Sequence, residues 1–359
     1  MAALPVSVCM IAKNEEKYIE QCLKSISQYG MEIVVTDTGS TDRTKQIARK
    51  YTDKVFDFEW CSDFSIARNF CADKASNNWI LVIDCDEKIQ NLDTTLLVER
   101  IKQFPHFAGK IIIKNILKKD DNTGQSADYS TDEIIRLYHK KEYEFVSPVH
   151  EQLRRIGASD DNEPLSCFDV PIDLIHYGYA LSKKEMNVKQ QRNLALLYRM
   201  AENEPGNAYV YFQIGQSQAI IGNYAEALRE YEKSMSLDGD VTKPYVQLML
   251  VSLAKTYSNA GYPEKALSLM EHYMPYCNTA KFTEIYAKLL WDSGQRLKSM
   301  ALYLKATLMP DADTLGEGLL RCYAHLIQGY CDTGNTKMAD MFQIKFAECK
   351  EAQEKQLLN

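Results

Sequence analysis

The sequence lacks an uninterrupted apolar run of the roughly 20 residues that a membrane-spanning helix requires. Its first residues, MAALPVSVCMIAKNEE, lack the basic and apolar segments of a signal peptide. The ten cysteines include no C-x-x-C pair, so neither a zinc site nor a disulfide framework is predicted. We therefore expect a cytoplasmic protein whose thiols are reduced.

An excess of basic residues is also missing. The 42 Lys and Arg against 49 Asp and Glu give a formal net charge of −7, which argues against a surface that coats nucleic acid. No G-x-G-x-x-G or G-K-[ST] motif follows the first predicted strand, so Rossmann-type and P-loop nucleotide sites are excluded. A length of 359 residues predicts two domains, or one large domain with an appendage.

Strand-like and helix-like segments alternate in the first half of the chain. This alternation predicts a mostly parallel sheet with helices on both faces, an α/β domain over residues 1–181. The segments AGKIIIKNIL and DEIIRLYHKKEYEF further along indicate strands that can pair antiparallel. Ser40 or Thr41 is the predicted cap of the second helix. The first four predicted strands are Pro5–Ala12, Met31–Ser40, Asp53–Trp60 and Trp79–Glu87.

The second half of the chain, residues 182–359, has a helical pattern throughout. Four similar phrases begin at Gly222, Gly261, Gly294 and Gly334, at intervals of 39, 33 and 40 residues. A helix–turn–helix unit of roughly 34 residues with small residues at fixed places is typical of tetratricopeptide repeats. Stacked repeats bury the face that a single repeat cannot bury alone. The alternative is a helical bundle without repeats.

Polar residues cluster where three of the predicted strands end, at Asn14-Glu15, Asp37–Asp42 and Asp84–Glu87. In parallel sheets, ligands bind beyond the carboxyl ends of the strands. Alternation along the fourth strand would point Asp84 and Asp86 to the same side and Glu87 away, which gives Glu87 a structural role. Two carboxylates on one side suit Mg²⁺ or Mn²⁺ shared with substrate phosphates. The alternative is a solvated strand end with one Asp capping the next helix.

Three motifs in this order resemble those of family 2 glycosyltransferases, whose nucleotide-sugar domain has the GT-A fold. They are CMIAKNEEKYIEQCLKSI, VVTDTGSTDRT and WILVIDCDE. The resemblance covers Val6 to Lys88 closely and the later VHEQL and HYGY more loosely. The stretch FSIARN and the helical repeats are similar to a branch in which the catalytic domain is fused to tetratricopeptide repeats. Some members of that branch glycosylate bacterial peptides.

The resemblance implies a nucleoside pocket lined by Asn14 and Glu15, with Asp37 accepting hydrogen bonds from the base, uracil in many members. Arg68 would pair with the diphosphate. Each role has an alternative: a turn and helix cap for Asn14 and Glu15, an Asx turn for Asp37, a surface ion pair for Arg68. Ser40 and Asp42 either contact the ligand or cap a helix. The implied donor-binding residues are Ala12, Asn14, Glu15, Asp37, Ser40, Arg68, Asp84, Cys85 and Asp86.

The resemblance also implies a metal site and a general base. Asp86 would ligate Mg²⁺ or Mn²⁺ at the diphosphate, Asp84 would face the ribose or a metal-bound water, and His176 would complete the site. His150 is the competing ligand, and a hydrogen-bonded structural role is the alternative for His176. Glu151 is the candidate base, or else a member of a structural ion pair. The Glu-Asp and Gln-x-x-Arg-Trp motifs of many members are missing, so polysaccharide synthases are poor guides.

The implied function is a metal-dependent inverting glycosyltransferase that uses a nucleoside-diphosphate sugar, preferably a UDP-sugar. The repeats would hold a peptide or protein acceptor or join two chains into a homodimer. The main alternative is a tetratricopeptide scaffold with a vestigial nucleotide domain, which needs no catalysis. A nucleotidyltransferase ranks last, because IAKNEE replaces the Gly-rich basic loop after the first strand.

Overall fold

The structure, a computed structural model, describes residues 4–119, 126–158, 165–178 and 183–358. It divides into two compact units, Met1–Ala180 and Leu181–Asn359. The described residues contain no helix that combines the length and the hydropathy needed to cross a membrane.

Ten strands and four helices make up the described part of the first unit. The strands are β1 (Val6–Ala12), β2 (Glu32–Asp37), β3 (Val55–Asp57), β4 (Trp79–Val82), β5 (Glu87–Leu92), β6 (Ala108–Lys119), β7 (Ser126–His139), β8 (Tyr143–Val146), β9 (Gln152–Arg155) and β10 (Cys167–His176). The helices are α1 (Ile19–Ser27), α2 (Thr44–Ala48), α3 (Phe64–Lys74) and α4 (Thr94–Gln103).

Eight of these strands form one sheet in the order β3-β2-β1-β4-β7-β6-β10-β5, and β8 and β9 form a separate hairpin. The pairings β3–β2, β2–β1, β1–β4 and β6–β10 are parallel, while β7 is antiparallel to both β4 and β6. The last pairing, β10–β5, is antiparallel. The described sheet is therefore mostly parallel, and the two segments expected to pair antiparallel, now β6 and β7, do so.

Both faces of the sheet are covered because side chains along each strand point alternately to opposite sides. Val8 and Met10 of β1 pack into a core with residues of α1, α2 and α4. Cys9, between them, packs into a second core with Cys71 and Ala72 of α3. Helices on both faces of a mostly parallel sheet confirm the predicted GT-A class of fold.

Several local predictions are wrong. Strand β4 ends at Val82 rather than Glu87, because the chain turns there and starts β5, which was not predicted. Neither Ser40 nor Thr41 caps α2; instead the Thr44 N–H donates to Oδ1 of Asp42 over 2.9 Å.

The second unit is helical throughout its described residues. After α5 (Lys183–Asn203), the helices follow in pairs joined by short turns. The pairs are α6 (Ala208–Ile220) with α7 (Tyr224–Leu237), α8 (Pro244–Asn259) with α9 (Pro263–Tyr273), α10 (Ala280–Asp292) with α11 (Arg296–Thr307), and α12 (Glu317–Asp332) with α13 (Thr336–Leu358). A short 3₁₀ helix, Ala312–Leu315, precedes α12.

The four glycines used to predict the repeats lie at equivalent places, directly after the first helix of each pair. Their φ angles are 88° at Gly222, 85° at Gly261, 80° at Gly294 and 73° at Gly334. A left-handed residue after the last helical turn is where glycine is preferred, because a Cβ would clash with the backbone there. This recurrence confirms tetratricopeptide-like helical repeats.

Candidate active site

The carboxyl ends of β1, β2 and β4 meet at one edge of the sheet because these three strands run parallel. Ala12, the last residue of β1, lies in register with Asp37, the last residue of β2. The Thr38 N–H donates to the Ala12 carbonyl over 2.9 Å. The loops that carry the predicted donor-binding residues therefore begin side by side.

Hydrogen bonds join the loop after β1 to the loop after β2. The Asn14 N–H donates to Ser40 Oγ over 2.9 Å, and Asn14 Oδ1 accepts from the Thr41 N–H over 2.8 Å. The Glu15 N–H donates to Thr44 Oγ1 over 2.7 Å. Asn14 has a φ of 56°, a left-handed conformation that Asn tolerates better than most residues. The structure thus brings Asn14, Glu15 and Ser40 together, through bonds that also stabilise the two turns.

Asp37 is 2% exposed, and the two oxygens of its carboxylate make different contacts. Oδ2 accepts from the N–H groups of Gly39 and Ser40 over 3.1 and 2.9 Å, which is the Asx-turn arrangement. Oδ1 is buried and has no hydrogen-bond partner among the described residues. A buried acceptor left unpaired is costly, so a ligand N–H at this place would be stabilising.

Asp84, Cys85 and Asp86 lie in a turn and not on a strand, so strand alternation does not govern them. The Glu87 N–H donates to the Asp84 carbonyl over 3.1 Å, and the Glu87 carboxylate accepts from the Asp84 N–H over 2.8 Å. As a result the two aspartates contact different partners. The Cys85 side chain is buried, and its thiol donates to the Ile11 carbonyl over 3.5 Å.

Two arginines contact the two oxygens of Asp84. Arg68 Nη2 donates to Oδ1 over 3.1 Å, and Arg136 Nη2 donates to Oδ2 over 2.8 Å. Burial acts to raise the pKa of Asp84, but Arg136 and Arg68 outweigh it and hold the pKa well below its usual range. Burial, opposed by Arg136, raises the pKa of Glu87 to about 7. Asp84 is therefore an ionised carboxylate already neutralised by protein cations.

Arg68 links Asp84 to Glu151, the candidate base, because Arg68 Nε donates to Oε1 of Glu151. Arg68 is only 8% exposed, so the alternative of a surface ion pair is wrong; it makes buried ion pairs instead. Its Nη1 is buried without a hydrogen-bond acceptor in the described part of the chain. Glu151 is thus a member of an ion pair in this arrangement, and Arg68 keeps one nitrogen for a further acceptor.

Asp86 faces His176. The distance between Asp86 Oδ2 and His176 Nε2 is 3.2 Å, and the Tyr177 N–H donates to the Asp86 carbonyl over 2.9 Å. Burial lowers the pKa of His176, but the Asp86 carboxylate outweighs that effect and raises it. At Gly178 a Cβ would lie 2.0 Å from Asp86 Oδ2 and 2.5 Å from His176 Nε2, so only glycine leaves these two groups in place.

The side chains of Asn115 and Asp132 orient His176. Its Nδ1 lies 2.8 Å from Asn115 Oδ1, and Asn115 Nδ2 donates to Asp132 Oδ2 over 2.7 Å. Because the Asn115 amide nitrogen points to Asp132, its oxygen faces the imidazole and accepts from Nδ1–H. This contact leaves Nε2 as the nitrogen directed at Asp86, the usual arrangement for a metal-binding histidine.

The residues present fit a divalent cation that shares its coordination with substrate. No group of three His, Cys, Asp or Glu side chains within residues 4–119, 126–158, 165–178 and 183–358 is placed to hold a metal ion. Asp86 and His176 are brought together, whereas both oxygens of Asp84 contact arginines. His150 is exposed, with a φ of 53°, in the turn before β9. Mg²⁺ commonly binds through one or two protein ligands plus phosphates and waters, which matches Asp86 and His176.

Sequence reasoning missed three residues of this site: Arg136, Asn115 and Asp132. Arg136 had a visible signal, since it stands inside the apolar segment DEIIRLY, where a charged residue needs a buried partner. Asn115 and Asp132 had no comparable signal, because they meet only through the pairing of β6 with β7.

The sequence is similar to those of several known proteins. Residues 7–150 match the family model described as Glycosyl transferase family 2. The glycosyltransferase SunS of Bacillus subtilis, derived from the SPbeta prophage, is 31% identical over 238 residues, which cover 65% of this chain and 54% of that protein. A TPR repeat-containing protein of Synechococcus elongatus is 29% identical over 219 residues, 60% of this chain and 52% of that protein.

Among solved structures, the chain is similar to the crystal structure of MamA, with 17% identity and a TM-score of 0.41. The similarity covers 48% of this chain and 95% of the MamA chain. The chain spans about half the length of the curated relatives it matches. The family match falls on the unit that carries the loops and side chains described above. The similarity to glycosyl transferase family 2 therefore covers residues 7–150 of this chain.

Proposed function

We propose that the chain is a metal-dependent inverting glycosyltransferase that moves a sugar from a nucleoside-diphosphate sugar, preferably a UDP-sugar, to an acceptor. The observation that carries the proposal is the Asp86–His176 pair, held at 3.2 Å beside Gly178 in the unit whose residues 7–150 match glycosyl transferase family 2. Such a pair suits a cation that bridges to a diphosphate. It needs no other ligand from the protein.

Asp37 supports the choice of a uracil base. Its Oδ1 is a buried acceptor whose partner is not found among the described residues, and uracil presents one imide N–H to such an acceptor. Oδ2 is held by two backbone N–H groups, so the carboxylate is fixed before the ligand arrives. Asn14, Glu15 and Ser40 would form the wall of the nucleoside pocket beside it.

A bound Mg²⁺ or Mn²⁺ would stabilise the leaving nucleoside diphosphate as a Lewis acid. Asp86 and His176 would hold the cation, with Asn115 keeping the imidazole in the required orientation. Arg68 would turn its unpaired Nη1 to a phosphate oxygen, since a guanidinium matches phosphate geometry. Asp84 would keep Arg68 in place rather than contact the cation.

Glu151 would take the proton of the acceptor as the anomeric carbon is attacked from the face opposite the leaving group. Arg68 Nε occupies Oε1 of Glu151, so the proposal requires this contact to loosen when donor phosphate engages Arg68. The side chain of Glu151 retains 15% exposure, enough for the approach of a small nucleophile.

The acceptor is proposed to be a peptide or protein side chain held by the helical repeats, with a homodimer through the repeats as the other role. Residues 1–181 and 182–359 would then be the catalytic and acceptor-binding domains of a cytoplasmic protein. The alternative, a scaffold with a vestigial nucleotide domain, is disfavoured because Asp37, Asp86 and His176 keep an arrangement that a scaffold does not need.

A thermal-shift screen of UDP-, GDP- and dTDP-sugars with and without Mn²⁺ tests the proposal. We expect a UDP-sugar to raise Tm only when Mn²⁺ is present. The variant Asp86→Ala should lose the Mn²⁺-dependent rise in Tm. The control Asp169→Ala, which changes a side chain on β10 that is 89% exposed, should keep that rise. No shift with any donor under any metal would favour the scaffold.

A further inference from the structure

Arg136 crosses from β7 to the turn that carries Asp84 and Asp86. It is buried, and its Nη2 donates both to Asp84 Oδ2, over 2.8 Å, and to Glu87 Oε1, over 3.2 Å. Asp84 follows β4 and Glu87 begins β5, so one guanidinium contacts both ends of the turn. Strand β7 supports this reach because it pairs antiparallel with β4, with Leu137 opposite Leu81.

The contacts continue from Arg136 through two more side chains. Asp84 gives its second oxygen to Arg68, and Arg68 donates from Nε to Glu151. The orientation of Arg68 is therefore fixed on one side by Asp84 and on the other by Glu151. Without Arg136, Asp84 would lose the cation at Oδ2. The half-buried Asp84 and the buried Glu87 would then be two neighbouring carboxylates that repel each other.

We propose that Arg136 is a positioning residue of the glycosyltransferase reaction. It fixes Asp84, through Asp84 the guanidinium of Arg68, and through Arg68 the carboxylate of Glu151. Arg136 itself touches neither donor nor acceptor. The inference rests on the proposed function, because it assigns Arg68 to the donor diphosphate and Glu151 to the acceptor.

A purely structural role is the competing explanation, since a buried arginine that balances two carboxylates also stabilises the fold. The two explanations differ in what restores activity. If Arg136 only stabilises the fold, the folded fraction of a truncated variant has normal kcat and KM. If Arg136 positions Asp84, the folded variant is impaired and a guanidinium ion that enters the vacated space restores part of the loss.

The experiment compares Arg136→Ala and Arg136→Lys with wild type, in UDP binding by calorimetry and in release of sugar from the UDP-sugar found by the thermal-shift screen. The control is Arg154→Ala, which removes an arginine that is only partly buried and whose Nη2 donates to Glu144 over 2.7 Å on the β8–β9 hairpin. Circular dichroism and Tm give the folded fraction of each variant. Activity is measured with guanidinium chloride and with an equal concentration of sodium chloride.

For folded Arg136→Ala we expect kcat/KM to fall by about 100-fold, the size of effect that a displacement of about 1 Å produces. Guanidinium but not sodium chloride should recover part of the lost kcat/KM, and not all of it, because an unlinked group lacks the advantage of attachment. The kcat/KM of Arg136→Lys should lie between those of Arg136→Ala and wild type, because lysine keeps the charge but lacks the planar guanidinium that fixes the direction of its bonds. Arg154→Ala should match wild type per folded molecule.

Two results overturn the inference while leaving the proposed function intact. One is folded Arg136→Ala with the kcat/KM and UDP affinity of wild type. The other is an impaired Arg136→Ala that neither guanidinium nor Arg136→Lys improves, because positioning by the guanidinium then does not account for the loss. A wild-type chain that neither binds UDP nor releases sugar would instead refute the proposed function, and this inference would fall with it.

Discussion

His176 Nε2 lies 3.2 Å from Asp86 Oδ2, although 90 residues separate them in the chain. The contact exists because β10, which ends at His176, pairs antiparallel with β5, which begins directly after Asp86. Glu87 is in register with His176 in that pairing. Asp86 and His176 are both next to this strand pairing, which holds them rigidly, as the proposed metal–diphosphate site would require.

Gly178→Ala tests whether this pair binds a cation. The new Cβ would lie 2.0 Å from Asp86 Oδ2, so the carboxylate must move away from His176. We expect Mn²⁺ affinity, measured by electron paramagnetic resonance, to fall at least about tenfold, as for other disturbed metal sites. The control is Gly206→Ala, where an added Cβ meets nothing within 4 Å. Unchanged Mn²⁺ affinity in Gly178→Ala would place the cation elsewhere.

Asp132→Ala tests the contact that orients His176 through Asn115. Without Asp132 Oδ2, the Asn115 amide can rotate and offer its nitrogen to Nδ1 of the imidazole. We expect Mn²⁺ affinity to fall by about 10-fold or more, the usual effect of losing such an outer contact. Glu133→Ala is the matched control, since the neighbouring carboxylate pairs with Lys110 on the surface. Equal loss in both variants would mean that only the local negative charge matters.

Asp37→Asn tests recognition of the base. The asparagine oxygen can keep the bonds from Gly39 and Ser40, but an NH₂ group replaces the unpaired Oδ1 and repels a uracil N–H. The expected loss is about 1–3 kcal/mol, or roughly a five- to 150-fold rise in the Kd for UDP. Asp93→Asn, at a carboxylate that only caps α4, controls for lost turn stability. Full UDP affinity in Asp37→Asn would assign Asp37 to the turn alone.

Glu32 gives a pH dependence of stability. Burial acts to raise its pKa, but donors from Lys54, Ser7 and Ser76 outweigh it and lower the pKa to about 2. Between the ordinary pKa of Glu32, 4.5, and its folded-state pKa of about 2, the unfolded chain therefore binds more protons than the folded chain. The stability that Glu32 contributes is complete above this pH window and is lost as the pH falls through it. Glu32→Gln should lower the denaturation midpoint at neutral pH, and the difference from wild type should shrink toward pH 2.

Glu20→Gln is the control for that titration, because Glu20 meets Lys50 at the surface with half of its side chain exposed. A surface pair of this kind contributes little to stability. If Glu32→Gln and Glu20→Gln show the same small effect at every pH, the lowered pKa of Glu32 is wrong.

The parallel half of the sheet and the helical repeats were predictable from local patterns. Apolar runs followed by polar clusters indicate parallel strands and the edge where they end, as at Ala12 and Asp37. The left-handed turns of the repeats are signalled by Gly222 and the later glycines, because few other residues adopt that conformation. These signals lie within a few residues of the structure they predict.

The remaining part of the site depends on pairings between distant segments. Strand β7 inserts between β4 and β6, which carries Arg136 to Asp84, and nothing near residue 136 specifies that order. The turn at Asp84–Asp86 was expected to be strand because the apolar run continues to Ile83. Its Glu87 side chain folds back onto the Asp84 N–H and ends the strand earlier.

The most direct measurement of the central claim is the release of sugar from a UDP-sugar by wild type and Asp86→Ala, with Mn²⁺ and with a chelator. We expect release by wild type with Mn²⁺, little release with chelator, and little release by Asp86→Ala under either condition. Equal release by Asp86→Ala, or release by wild type that the chelator does not reduce, would contradict it.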